Sequence, residues 1–558
     1  MCRLYSPVVR LEGQESRNPP EGNSVPIGNY RFRFQVNASG DYYEPAELTV
    51  SREGLRTLVE AQGLLQGRRR AGGSLRVEFQ ETPMGLSWRA EAQGPSQIEG
   101  LRFSVSGLPL GQVIVPTAGG TVFTPDEEVS LSVGTLAGDG RPLWCAAFLV
   151  VETLGQVLYL HGEEYPPRVR RLWAKKMGES LAVDLYCEEN AWQRSSRFAS
   201  PKWAIDRVKD WREAVAKYRA WMEEAYGLQP FERRPDVPPW MRRIALYLNI
   251  YAHSYTNRLH YTFAEIEAKL RELATCFPAG NMLVYIAGWD GRTDTTYPDY
   301  AVSREAGGEE GLRRLVATAH SLGYRVMLHM NLFGVSYRSP LYPRFEKEQI
   351  RDSEGRRMGW TADYNRDGVR EEHFAYISPD AAEWRRYLIE KAKGVVQSFG
   401  VDAVHLDQTG LCPNDPNHDT YRGQLELFRE LKAALPGVLF EGEGMTEQAA
   451  PLTPVYHMWI TAPDGHAVYK ELFNSYTRPV GHMDMPPPEY PERFKAVQEA
   501  YDFHDVIPSL AQTDFYPEIS GAGLGEIGRA QRLDSEGAKS VYRKARAYLA
   551  RLRPSHGG

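Results

Sequence analysis

Two stretches, Val401-Asp-Ala-Val-His-Leu-Asp407 and Val438-Leu-Phe-Glu-Gly-Glu443, are short apolar runs that end in acidic side chains. Runs this short, rich in Val and Leu, read as strands buried on both faces. Between them Tyr421, Leu425, Phe428, Leu431 and Leu435 recur at helical spacing. Ahead of them Ser378-Pro-Asp380 predicts a helix start, with a cap, a first-turn proline and a first-turn acid, and Gly400 predicts its end. Outward toward the N-terminus the alternation continues. Arg325-Val-Met-Leu-His-Met-Asn331 is a strand, and Leu312, Leu315, Val316, Ala319 and Leu322 mark a helix closed by Gly323. Met282-Leu-Val-Tyr-Ile-Ala287 is a strand, Phe263 to Cys276 a helix, and Ile244-Ala-Leu-Tyr-Leu-Asn-Ile250 the first strand. Toward the C-terminus, strands are predicted at 455–460, 479–484 and 506–512, and a last helix near 535–552. Eight strands alternating with helices predict an α/β fold, a (β/α)8 TIM barrel over 241–530 followed by a C-terminal helix within 531–558. A doubly wound sheet is the alternative, but no Gly-rich fingerprint follows the first strand. An insertion at about 332–377 contains an Asp352-Ser-Glu-Gly hairpin turn.

Residues 1–203 have another rhythm. Arg31-Phe-Arg-Phe-Gln-Val36, Leu75-Arg-Val-Glu-Phe79 and Glu128-Val-Ser-Leu-Ser-Val133 alternate polar and apolar, which gives one wet and one buried face. Turn residues separate the runs at Asn37-Ala-Ser-Gly40, Pro116-Thr-Ala-Gly-Gly120 and Gly138-Asp-Gly-Arg141, the last placed as a hairpin turn. An N-terminal β-sandwich is predicted. Residues 204–240 form a linker. Trp211, Val215, Tyr218, Met222 and Ala225 give a helical stripe stopped by Gly227, and four prolines stiffen the segment from Gln229 to Trp240.

Composition removes several functions. The 66 basic and 72 acidic residues leave a net charge of −6, against the basic surplus of a general nucleic-acid binder. No run approaches the length of a membrane-spanning helix, so no membrane partner is expected. The opening Met1-Cys-Arg-Leu-Tyr-Ser-Pro7 lacks a secretory apolar core, and the five cysteines form no CxxC pair, so the expected setting is the reducing cytoplasm. No cofactor motif is present, and no feature specifies an oligomeric state. The 31 Tyr and 12 Trp suit stacking on sugars as well as any large core.

In a barrel of this kind the reacting groups lie at the C-terminal strand ends. Residues two apart on a strand share a face, so His405 with Asp407, Glu441 with Glu443, and His482 with Asp484 point into one mouth. Trp289-Asp290 and His329-Met-Asn331 close the second and third strands. Two carboxyls on neighbouring strands perturb each other's proton affinity, which glycoside hydrolysis requires: one stays ionised, the other holds a proton. Asp407 is the expected nucleophile and Glu443 the expected acid/base, at roughly the 5–5.5 Å of a retaining mechanism. Asp484 would bind sugar hydroxyls or tune the pair. Glu441, one pleat deeper, reads as a buried, paired carboxylate. Two other readings stay open: a non-catalytic carbohydrate-binding barrel, and a metal-dependent hydrolase. The second lacks support in spacing, since Tyr251-Ala-His253 offers one His where a His-x-His is needed, and no metal ligands are assigned. Cys412-Pro-Asn-Asp-Pro-Asn-His418 reads as a loop over the site, with His418 reaching substrate.

Gly400-Val-Asp-Ala-Val-His-Leu-Asp407 resembles the α-amylase-like superfamily of barrel glycosidases, whose strand reads Gly-Val-Asp-Gly-Phe-Arg-Leu-Asp with the last Asp as nucleophile. His405 stands where that superfamily has Arg. Gly442-Glu443 resembles its acid/base pair. The chain is more similar to glycoside hydrolase family 101, the endo-α-N-acetylgalactosaminidases, and to related bacterial barrel glycosidases. The likeness runs through Asp210-Trp-Arg-Glu-Ala-Val-Ala-Lys-Tyr-Arg-Ala-Trp221, Gly288-Trp-Asp290, Tyr297-Pro-Asp-Tyr300 and the loop after Asp407, over most of 130–520. It implies a galactose-mutarotase-like β-supersandwich before the barrel and retention of an α-linkage. The substrate would be an oligosaccharide or glycan, an α-galactosaminide or α-galactoside among the candidates. Trp289, Asp290, His329, Asn331, His405, His418 and Asp484 would be subsite residues.

Overall fold

The computed structural model describes residues 24–552 apart from 125–129, 135–142, 254–257, 292–295, 364–367, 459–464, 482–490, 512–514, 518–523 and 527–531. The predicted turn at Gly138, and His482 and Asp484, lie outside the described residues.

Alternating side chains in the N-terminal part bury one face of each strand, as in Tyr30–Ala38. The strands form two antiparallel sheets. One runs through Val25–Ile27, Tyr30–Ala38, Ile98–Pro109, Ser180–Glu188, Arg170–Met177 and Ser130–Gly134. The other runs through Leu48–Glu53, Arg56–Gln66, Arg69–Thr82, Gly85–Gln93, Lys202–Val208, Val157–Glu163, Phe148–Glu152 and Gln112–Val115. The core is aromatic: Phe32 meets Phe79 edge-on at 4.8 Å and Trp88 at 5.1 Å. The helical linker does not begin at 204 as expected. Lys202–Val208 is a strand paired to Val157–Glu163, with Trp203 and Ile205 buried in the sandwich. Helix α1, Trp211–Tyr226, starts only where Asp210 accepts the Glu213 backbone N–H, and it ends at Gly227, whose φ is 64°.

The barrel strands are β1 (Leu246–Tyr251), β2 (Met282–Ala287), β3 (Arg325–Asn331), β4 (Ala403–Asp407), β5 (Leu439–Glu443), β6 (Val455–Met458), β7 (Arg478–Gly481) and β8 (Ser509–Ala511). They pair in parallel in that order, β8 returns to β1, and a bridge from Val480 to Ile507 closes the circle. Of the last three predicted strands, residues 459–460, 482–484 and 512 lie outside the described residues, and β8 begins at Ser509, three residues after Val506. Helices α2 (Phe263–Cys276), α3 (Gly308–Leu322), α4 (Ala382–Phe399) and α5 (Thr420–Ala434) cover the outside of the first half. Helix α4 begins three residues later than the Ser378 cap suggested. Ser378 Oγ turns back to the Asp380 backbone N–H, while the Asp380 carboxylate takes the Asp419 N–H and the Arg422 guanidinium. The insertion folds as a three-stranded antiparallel sheet that meets the residues just after β3 and β4, where Ile377 N–H donates to the Phe333 carbonyl and the Gln408 amide donates to the Tyr376 hydroxyl. Among the described residues no helix is long and apolar enough to cross a membrane.

Candidate active site

Parallel pairing aligns the acid-bearing strand ends in two layers. His329, His405 and Glu441 are register partners across β3, β4 and β5. Two residues further along, and so on the same inward face, come Asn331, its partner Asp407, and Glu443. Gly442 between the two glutamates faces the other way. A Cβ there would lie 2.9 Å from the Thr409 Cβ, so the close packing behind β5 requires glycine.

In the upper layer Asp407 and Glu443 stand at the ends of neighbouring strands, near enough for each to shift the other's proton affinity. The Asp407 side chain keeps 22% exposure, so the pair lies at an open floor. Asn331 fixes one side: its amide donates to Asp407 Oδ2 at 3.0 Å and to Gln408 Oε1 at 3.2 Å, while its Oδ1 accepts the N–H groups of Phe333 and Gly334. The Gln408 backbone N–H donates to Glu443 Oε2 at 3.0 Å, and its side-chain amide donates to the Tyr376 hydroxyl at 3.0 Å. Gln408 holds φ at 66°, a conformation that non-glycine residues adopt only under constraint. Burial would raise the Asp407 carboxyl, but the His405 ring and Glu443 beside it outweigh burial and hold the group well below the usual carboxylate range. Burial and the charge of Asp407 push Glu443 well above that range.

The layer beneath is a buried polar network. His405 Nδ1 meets Glu441 Oε2 at 2.8 Å, and its Nε2 lies 4.0 Å from Asp407 Oδ1. His457 Nε2 lies 3.2 Å from Glu441 Oε1 and 2.5 Å from the Tyr247 hydroxyl. His329 meets the Tyr285 hydroxyl at Nδ1 (2.7 Å) and the Tyr297 hydroxyl at Nε2 (2.6 Å). Burial disfavours the His405 cation, but Glu441 and Asp407 outweigh it and raise the ring to about 9. His329, with no carboxylate bonded to it, is pushed down to about 3 by burial and is neutral. His405, Glu441 and His457 bring one donor atom each within 4.8 Å of one another, so this trio is the grouping that could hold a metal among the described residues. Their donors already bond to one another and to Tyr247, which favours a proton network over an ion.

The other expected subsite residues are placed differently. Trp289 offers no face to a sugar: it is fully buried, stacked on Tyr300, and its indole N–H donates to the His329 carbonyl at 2.8 Å. His329 and His405 are floor residues, shut off from the mouth by the pair above. Asn331 is fully buried and orients Asp407. His418 has both ring nitrogens on carboxylates, Asp415 at 2.7 Å and Glu348 at 2.9 Å, so it pins the loop instead of reaching outward. It lines a groove of about 230 Å³ with Trp192, Arg168, Asn190 and Cys412. Asp290 is buried, takes the Thr296 hydroxyl at 2.9 Å, and leaves Oδ1 without a hydrogen-bond partner among the described residues. Burial pushes it up to about 7. Sequence reasoning missed Gln408, Tyr376, Tyr247 and His457. His457 is two residues on from Val455 in a predicted strand, a spacing that could have placed it inward. Nothing in the sequence marks Tyr376, which arrives from the insertion.

The loops that follow the two carboxyls are tied to the sandwich. After Glu443, Glu447 pairs with the fully buried Arg170 and accepts the Tyr218 hydroxyl of α1. After Asp407, Asn414 accepts the Ala191 N–H at 2.7 Å and donates to the Glu189 carbonyl at 2.9 Å.

Comparison with known proteins places this architecture. A family profile described as a domain of unknown function (DUF6259) matches residues 203–471. Malto-oligosyltrehalose trehalohydrolase of Saccharolobus solfataricus is 28% identical over 166 residues, a match spanning 28% of this chain and about a quarter (26%) of that protein. Among solved structures, the α-N-acetylgalactosaminidase NagBb from Bifidobacterium bifidum, in its GalNAc complex, superposes with a TM-score of 0.69 at 15% identity, covering 94% of this chain and 93% of that one. The GH36 α-galactosidase AgaA from Geobacillus stearothermophilus gives a TM-score of 0.51 at 13% identity over 93% and 76% of the two chains. The α-galactosidase from Lactobacillus brevis gives 0.52 at 14% over 94% and 74%. The chain therefore has the fold of these proteins, a β-sandwich joined to a (β/α)8 barrel, along nearly its whole length.

Proposed function

We propose that the protein is a glycoside hydrolase that cleaves an α-glycosidic bond with retention, acting on an α-galactosaminide- or α-galactoside-containing glycan. One observation carries this reading: two carboxyls at the barrel mouth face each other with opposite proton affinities, Asp407 low and Glu443 high. In the free protein Glu443 holds its proton and Asp407 is ionised. A sugar enters between them. The Asp407 carboxylate attacks the anomeric carbon while Glu443 gives its proton to the departing glycosidic oxygen. The Glu443 carboxylate then takes a proton from water, whose oxygen displaces Asp407 from the anomeric carbon. Two inversions give retention. Asn331 and the Gln408 backbone hold the two carboxyls during both steps. The chemistry needs carboxyl groups alone and no cofactor.

The choice of sugar is supported by the activities for which the structural relatives are named, α-N-acetylgalactosaminidase and α-galactosidase. Aryl α-N-acetylgalactosaminide, α-galactoside and α-glucoside are the test substrates. The expected result is hydrolysis of one of the first two, with the α-anomer as first product by NMR. The β-anomer as first product would overturn retention. Sugar binding without turnover would instead support a non-catalytic barrel.

A further inference from the structure

We propose that Glu441 is a positioning residue that keeps the nucleophile Asp407 ionised by holding His405 as a cation beneath it; this rests on the glycosidase reading above. The geometry is a vertical column. Glu441 is fully buried, shares its Oε2 with His405 Nδ1 at 2.8 Å, and is the register partner of His405 on the neighbouring strand. The other His405 nitrogen points up to Asp407 Oδ1 at 4.0 Å, an ion-pair distance, so the link to the nucleophile is one of charge. Glu441 reaches neither the mouth nor Asp407 itself and can act on the reaction only through the imidazole.

An imidazolium sealed in a barrel is costly unless a carboxylate faces it. Its surroundings therefore decide its charge. His329 stacks on one face at 5.3 Å and is neutral, occupied by Tyr285 and Tyr297. His457 stacks on the other at 4.3 Å, held by Tyr247 and leaning on the second Glu441 oxygen. Tyr285 lies edge-on at 5.3 Å. Above are Asp407 and the protonated Glu443. Of these groups only Glu441 and Asp407 supply negative charge to the ring. If Glu441 is neutralised, His405 must be held as a cation by Asp407 alone. The ring then loses its proton more readily, and Asp407 loses the cation that favours its ionised form.

The test is Glu441→Gln, which keeps shape and removes charge, beside Glu441→Asp, which keeps charge. The ring ¹⁵N signals of His405 in the wild-type protein at pH 8 should be those of an imidazolium, and in Glu441→Gln those of a neutral ring. The acid limb of kcat/KM should move up by about one pH unit in Glu441→Gln, as expected on removing a nearby opposite charge, and should stay in place in Glu441→Asp. A neutral His405 in the wild type at pH 8 overturns the proposal, and that measurement needs no variant to fold. An unmoved acid limb in a Glu441→Gln protein of normal circular dichroism also overturns it, as does an equal limb shift in both variants, which would mark a packing role. Asp407→Asn in the same assay separates the two readings. If it keeps full turnover, the glycosidase assignment of Asp407 falls, while the His405 signals still report on the ion pair.

Discussion

The sandwich core and the barrel floor are equally dry, yet they are built from opposite materials. Phe32, Phe34, Phe79, Trp88 and Phe103 fill the first with aromatic rings in edge contact. Tyr247, Tyr285, His329, His405, Glu441 and His457 fill the second, at positions where barrel strands ordinarily carry Val, Leu and Ile. Apolar burial stabilises without asking for partners. A buried polar group left unpaired costs about 1–3 kcal/mol, so a polar floor persists only as a connected network. The contrast teaches where this fold gives up easy stability: directly beneath the two carboxyls proposed to react.

The comparison breaks most visibly at Asp407. Asp407→Asn should lower kcat roughly 10³-fold or more in the aryl glycoside assay. Trp88→Ala in the sandwich should do the reverse. It should cost about 3–5 kcal/mol in denaturant unfolding, with kcat per folded molecule unchanged.

Arg170→Met tests the joint between the regions. It strands the buried Glu447 carboxylate and should cost about 3–5 kcal/mol. Because Glu447 follows the acid/base loop, kcat should also fall, in contrast to Trp88→Ala.

The last expected effect is a pH dependence. The Asp290 carboxyl has a folded value of about 7, above its unfolded value near 4. Between these values the folded state binds the extra proton, so stability falls as pH rises through that window, by up to about 1.4 kcal/mol per pH unit. Asp290→Asn should flatten that slope in urea titrations at pH 4–7 and raise stability at pH 7.

Periodicity alone determined much of this protein. The two-residue repeat around Phe32 and Phe34, the helical repeat around Leu312 and Leu315, and the paired spacing of His405 with Asp407 and Glu441 with Glu443 are local properties of the chain. They suffice to separate sandwich from barrel and to place acids at strand ends. Tertiary structure alone decided partnership. Trp289 lies next to Asp290 in sequence and turns into the core. His418 looked free and is held by Glu348, which lies 70 residues earlier. Ser378 had the form of a cap and lost that role because Asp380 is drawn to Arg422. A repeat says which side chains share a face. The neighbour across that face comes from another strand, fixed by sheet register and by distant loops, and it is the neighbour that sets hydrogen bonding and charge.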